Sequence, residues 1–166
     1  MFDNRAGTRV QVFERIKSLF ELRPNIFDCF TAEALGAVNI AKNEARSMRH
    51  NFIGTEHILL GLIAESSGSA AQALTSRGIE LGRARLEVTK IWGESRGKVQ
   101  QDLPFTPSAK QLLETALQRA KNSGVTYVGT EHLLLGLIEP GRGVALKILK
   151  DLGVTKEDLS KDLLDP

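Results

Sequence analysis

The 166-residue sequence is 42% hydrophobic and 25% charged, the balance of an ordinary soluble globular protein large enough to bury a core. Its 22 Lys and Arg against 20 Asp and Glu leave a net charge of +2, too small to mark a nucleic-acid-binding surface. The single Cys29 excludes an internal disulfide and a cysteine-based zinc cluster and fits a reducing compartment. No apolar run reaches the roughly 18 residues of a membrane helix, since the longest, Ile58 to Ala64, is interrupted by Gly61.

In chain order, Val12, Phe13, Ile16, Leu19 and Phe20 recur at helical spacing between a capping Thr8 and Pro24, which predicts an amphipathic helix from about 9 to 22. The opposite face mixes Arg9, Glu14, Arg15, Lys17 and Glu21, a pattern that suits packing on protein better than lying on a membrane. Its periodic apolar residues do not form a signal peptide, and Asp3, Glu14 and Glu21 speak against an organelle transit peptide. Next, Thr31 is placed as the N-cap of a helix carrying Leu35, Val38, Ala41, Ala45 and Met48, ending near Arg49-His50. A short extended piece, Asn51-Phe52-Ile53, leads to Gly54 and a second helix, with Thr55 expected as its cap and Ile58, Leu59, Leu62 and Ile63 as its face. A turn at 65–68, a third helix at 69–76 stopped by a left-handed Gly78, and a fourth at about 81–92 with Leu81, Leu86, Val88 and Ile91 follow.

After a stretch with Gly93, Gly97 and Pro104, the plan starts again. Residues 54–63 return almost unchanged as 129–138, an offset of 75, and laying 30–78 over 105–153 without a gap gives 18 identical pairs in 49 positions. The second copy predicts helices over 107–122, from a capping Thr130, near 144–151 and over 156–164, with Thr106-Pro107 as cap and first helical residue. The expected fold is therefore all-α: two four-helix repeats, eight helices related by a pseudo-twofold axis, plus the leading helix. The segments are an extension (1–26), repeat 1 (27–93), a linker (94–104) and repeat 2 (105–164) within a domain spanning 27–166.

Catalytic chemistry finds little support. His57 and His132 each follow a Glu, but a zincin helix needs a second His four residues on, and neither has one. Both are expected to be structural, at the second position of a helix and bonded to the backbone of the neighbouring turn. Gly93 to Val99 lacks the glycine spacing and the hydroxyl of a phosphate loop. The reading is a protein without enzymatic activity, cofactor or metal. What remains is a repeated polar pair at helix starts, Thr31 with Glu56 and Thr106 with Glu131. A capped helix start offers free N–H groups to an anion, and a nearby carboxylate suits a cation, so one ligand carrying both charges could use the pair. The alternative is simple capping by each Thr and a favourable dipole interaction for each Glu.

Phe-Thr-x-x-Ala joined to Gly-Thr-Glu-His-[Ile/Leu]-Leu-Leu-Gly-Leu-Ile, then a Gly-[Ser/Val]-Ala turn and Leu-x-x-x-Gly, resembles the Clp N-terminal repeat domain over about 27–164. That domain opens the AAA+ unfoldases, most similarly those of the ClpC type, and receives adaptors and substrates for the unfoldase and its ClpP protease. No ATPase motif is present, so the resemblance extends to stand-alone Clp N-domain proteins that act as protease accessories. It implies a Clp unfoldase, a ClpP-type core, adaptors or substrates as partners, neither nucleic acid nor membrane, and a cytoplasmic or plastid-stromal location. An alternative is a decoy binding phosphoarginine proteins or cyclic peptides away from the protease. It also implies phosphoarginine-type pockets at Thr31, Glu56, Thr106 and Glu131, and a protein-binding surface at Phe27 and Phe105. The family's Gly-Glu-Gly turn stands here as Ser66-Ser67-Gly68 and Gly141-Arg142-Gly143.

Overall fold

A computed structural model describes residues 25–93 and 95–164; the predicted helix at 9–22 lies outside them. A short 3-10 turn, Ile26–Cys29, precedes α1 (Ala32–Ser47), α2 (Thr55–Glu65), α3 (Ser69–Ser76) and α4 (Leu81–Trp92). The second copy supplies α5 (Pro107–Asn122), α6 (Thr130–Ile138), α7 (Val144–Asp151) and α8 (Lys156–Leu164). Thr31 and Thr106 cap α1 and α5 as expected, their hydroxyls accepting from Ala34 and Ala109 backbone N–H groups at 3.1 Å each.

The two copies are crossed rather than merely adjacent. Phe30 pairs with Val128 and Ile53 with Phe105 as isolated parallel bridges, and the 75-residue offset turns one bridge into the other with the copies exchanged. Thr31 N–H donates to Val128 O at 3.0 Å, and Thr106 N–H donates to Ile53 O at 3.0 Å. This exchange is the pseudo-twofold relation, and it sets the start of each copy's first helix beside the start of the other copy's second.

At the centre lie α2 and α6. Instead of one apolar face, α2 is buried all round from Thr55 to Ile63, Leu60 included, because α1, α4, α6 and α7 surround it. Leu59 and Leu134 are equivalent and fully buried. Along α1 the buried line is Ala34, Ala37, Val38, Ala41 and Ala45, with Leu35 and Met48 only partly covered. Small residues occupy it because α2 approaches closely: a Cβ at Gly61 would collide with the Ala37 carbonyl oxygen, and one at Gly136 with that of Leu112. On α4, Ala84 and Val88 take the buried positions while Leu86 is 61% exposed, since only the residues at three- and four-residue spacing from Leu81 can share its face.

Candidate functional site

The repeated Gly-Thr-Glu-His motif starts α2 and α6, and each of its residues has a separate role. Gly54 and Gly129, not the threonines, are the N-caps, with extended backbones at φ −95° and −91°. His57 and His132 therefore stand at the third helical position and turn back to the cap. Gly54 N–H donates to His57 Nδ1 at 2.9 Å, and Gly129 N–H to His132 Nδ1 at 3.0 Å. The carboxylates of Glu56 and Glu131 fold over the same glycines, where any Cβ would strike them.

Each Thr is left to serve the other copy. Thr55 Oγ1 accepts from Ala145 N–H at 3.3 Å, and Thr130 Oγ1 from Ala70 N–H at 3.2 Å. The caps of α7 and α3 are Gly143 and Gly68, which have no side chain with which to cap, so the threonine across the interface supplies the oxygen.

Because its Nδ1 accepts, neutral His57 carries its proton on Nε2, which faces His50 Nδ1 at 2.9 Å. Burial, and then the neighbouring His50, pull the His57 pKa down to about 3 from 6.5. The 3.9 Å approach of Glu56 Oε1 to His57 Nδ1 is thus a contact with a neutral ring rather than an ion pair. Burial lowers His132 as well, with Glu131 opposing. His50 has no counterpart in the second copy, where Val125 occupies its place.

The crossing exchanges the polar pairs. Thr31 and Glu131, one from each copy, line a cleft of about 200 Å³ together with Glu33, Ser67, Ser69 and Tyr127. Sequence order had paired Thr31 with Glu56, but the bridge from Phe30 to Val128 delivers Thr31 to the second copy's motif. By the same relation Thr106 sits beside Ile53, just before the motif that carries Glu56. Ser69 Oγ donates to Glu131 Oε2 at 3.1 Å, and the Glu131 side chain is 31% exposed. Glu56 is only 2% exposed, and its Oε1 has no hydrogen-bond partner. Burial raises its pKa, against the pull of its own backbone N–H and of Trp92.

Phe27 and Phe105 also meet across the copies, half-buried, with ring centroids 6.1 Å apart. Sequence reasoning missed the aromatic group around the first motif, in which Phe52 lies 5.2 Å from Trp92 and stacks on His50 at 5.3 Å. It also missed Ser69 and Tyr127. The one available signal was their position beside repeated glycines, at 68 and 129.

Two crossed copies of a four-helix repeat, with a cleft where the first helix of one copy meets the second of the other, define a class of protein: a two-copy, all-helical repeat domain. The family model for the Clp repeat (R) N-terminal domain matches residues 29–163, and the chain belongs to that family. It is 47% identical over 139 residues to the protein named chaperone protein ClpC1, chloroplastic, of Arabidopsis thaliana, covering 84% of this chain and 15% of that one. Identity is 50% over 136 residues to an ATP-dependent Clp protease ATP-binding subunit ClpA homolog of Guillardia theta, covering 82% of this chain and 16% of that one. The chain thus spans about a sixth of the length of these relatives. The N-terminal domain of ClpD from Arabidopsis thaliana superposes with a TM-score of 0.73 at 31% identity, covering 86% of this chain and 97% of that one. The N-domain of ClpV from Vibrio cholerae shares the fold, with a TM-score of 0.66 at 20% identity over 86% of this chain and 89% of that one.

Proposed function

We propose that this chain is a non-catalytic accessory module of a Clp protease system, receiving an adaptor or substrate and presenting it to a ClpC-type unfoldase and its ClpP-type core. The observation that carries this reading is the family match across both repeats, 29–163, together with a cleft lined by residues of both copies. Phe27 and Phe105 form the protein-facing surface, and the helix-start residues Thr31, Glu56, Thr106 and Glu131 belong to the ligand clefts. The small ligand that suits the Thr31–Glu131 cleft is a phosphoarginine side chain. Its phosphate meets the first N–H groups of α1, which have no intrahelical acceptor, and its guanidinium meets Glu131. Such a module works where Clp proteases work, in a bacterial cytoplasm or a plastid stroma. Co-purification of the chain with a ClpC-type unfoldase and a ClpP-type core, with and without ATP, tests the role. Failure to associate in any nucleotide state refutes it.

A further inference from the structure

The two Gly-Thr-Glu-His motifs are copies of one another, yet the residues around them differ in ways that bear on binding. At the start of α1 stands Ala32, with a backbone N–H, while α5 starts with Pro107, which has none, so the second helix start offers an anion one donor fewer. Glu33, a second carboxylate in the Thr31 cleft, is replaced at the equivalent position by Ser108. Ser69, whose hydroxyl holds Glu131 at 3.1 Å, is replaced by Val144, whose side chain has no donor. The first motif also has Trp92 against it, close enough to Glu56 to pull on its carboxylate.

We infer that Trp92 and Val144 close the ligand cleft built on Glu56, so that each chain takes a single ligand carrying both charges, at Thr31 and Glu131. This rests on the ligand reading given above. The closure accounts for the orphaned Glu56 Oε1: the Val144 side chain has no hydroxyl to donate to it as Ser69 donates to Glu131, and with Glu56 only 2% exposed, solvent does not reach it. A carboxylate buried in this way is also more readily protonated, and in that form it has no charge to offer a guanidinium. Glu131 keeps both a partner and access to solvent.

Calorimetric titration of the full chain with free phosphoarginine tests the inference. The expected result is one site per chain, with binding weakened about tenfold or more in Glu131→Gln, which is checked for a wild-type fold by circular dichroism. Trp92 is the only tryptophan, so its emission reports on the Glu56 cleft alone and is expected to stay constant through the titration. Replacing Trp92 by Ala and Val144 by Ser together is expected to bring the stoichiometry to two. Two sites in the wild-type chain, or a stoichiometry unchanged in the double variant, overturns the inference while leaving the ligand reading standing; full binding in Glu131→Gln overturns both. Absence of binding to the wild-type chain overturns the ligand reading and this inference with it.

Discussion

Thr130 and Ala70 are joined across the two copies: the Thr130 hydroxyl accepts the Ala70 N–H at 3.2 Å and so caps a helix that is not its own. Thr55 returns the arrangement to Ala145. Replacing Thr130 by Ala should therefore destabilise the fold by about 1 kcal/mol, the usual value of a lost N-cap, although Thr130 is not the cap of its own helix. Thr130→Ser keeps the oxygen and should recover most of the loss. Urea unfolding of the three proteins checks this, and equal midpoints for wild type and Thr130→Ala would refute the cross-copy cap.

Gly61 and Gly82 both lie within helices, and alanine should act on them in opposite directions. At Gly61 the added methyl meets the Ala37 carbonyl, a backbone group that cannot rotate away. The overpacking costs about 1–3 kcal/mol, enough to outweigh the roughly 1 kcal/mol that Ala contributes through helix propensity. Around Gly82 nothing lies within 4 Å, so Gly82→Ala should stabilise by about 0.5–1 kcal/mol. Chemical denaturation of both variants reads the two signs.

Stability should fall as the solution is made mildly acidic. The folded protein holds His57 near pKa 3, whereas the unfolded chain takes up the proton near 6.5. Between those values the unfolded state binds more protons, so the contribution is present above about pH 6.5 and is lost progressively toward pH 3. His50 and His132, both lowered by burial, act in the same direction. Glu56 acts with the opposite sign: its pKa is raised above 4.5, so the folded state holds that proton more tightly and gains stability as pH falls through that region. Unfolding midpoints between about pH 7.5 and about pH 5 should drop, and the drop should be shallower in His57→Gln, whose amide oxygen can still accept the Gly54 N–H.

Arg49 follows α1 with φ +58°, and its counterpart after α5 is Gly124 with φ +73°. A left-handed conformation costs a non-glycine residue roughly 1–2 kcal/mol, partly offset by the extra chain entropy that glycine loses on folding. Arg49→Gly should thus raise stability by about 0.5–1 kcal/mol, read as a higher thermal midpoint.

The sequence by itself determined the doubled unit, the eight helices and the capping of α1 and α5. These are local matters: apolar spacing of three and four residues, a Thr before the helix, a Gly after it. Thr31 and Thr106 were legible because each caps the helix that begins at the next residue, accepting the N–H three residues on. Only the tertiary structure decided what the two Gly-Thr-Glu-His motifs face. Thr55 and Thr130 stand in sequence where caps belong, yet the glycine before each takes the cap and the hydroxyl crosses to the other copy. Thr31 meets Glu131 rather than Glu56 because the Phe30–Val128 bridge spans the copies, and no spacing within one copy encodes a partner in the other. Identical motifs also came to lie in unlike surroundings. Val144 stands where Ser69 does in the other copy, and Trp92 lies against Glu56, so one Glu is buried with an unpartnered oxygen while its twin stays open to solvent.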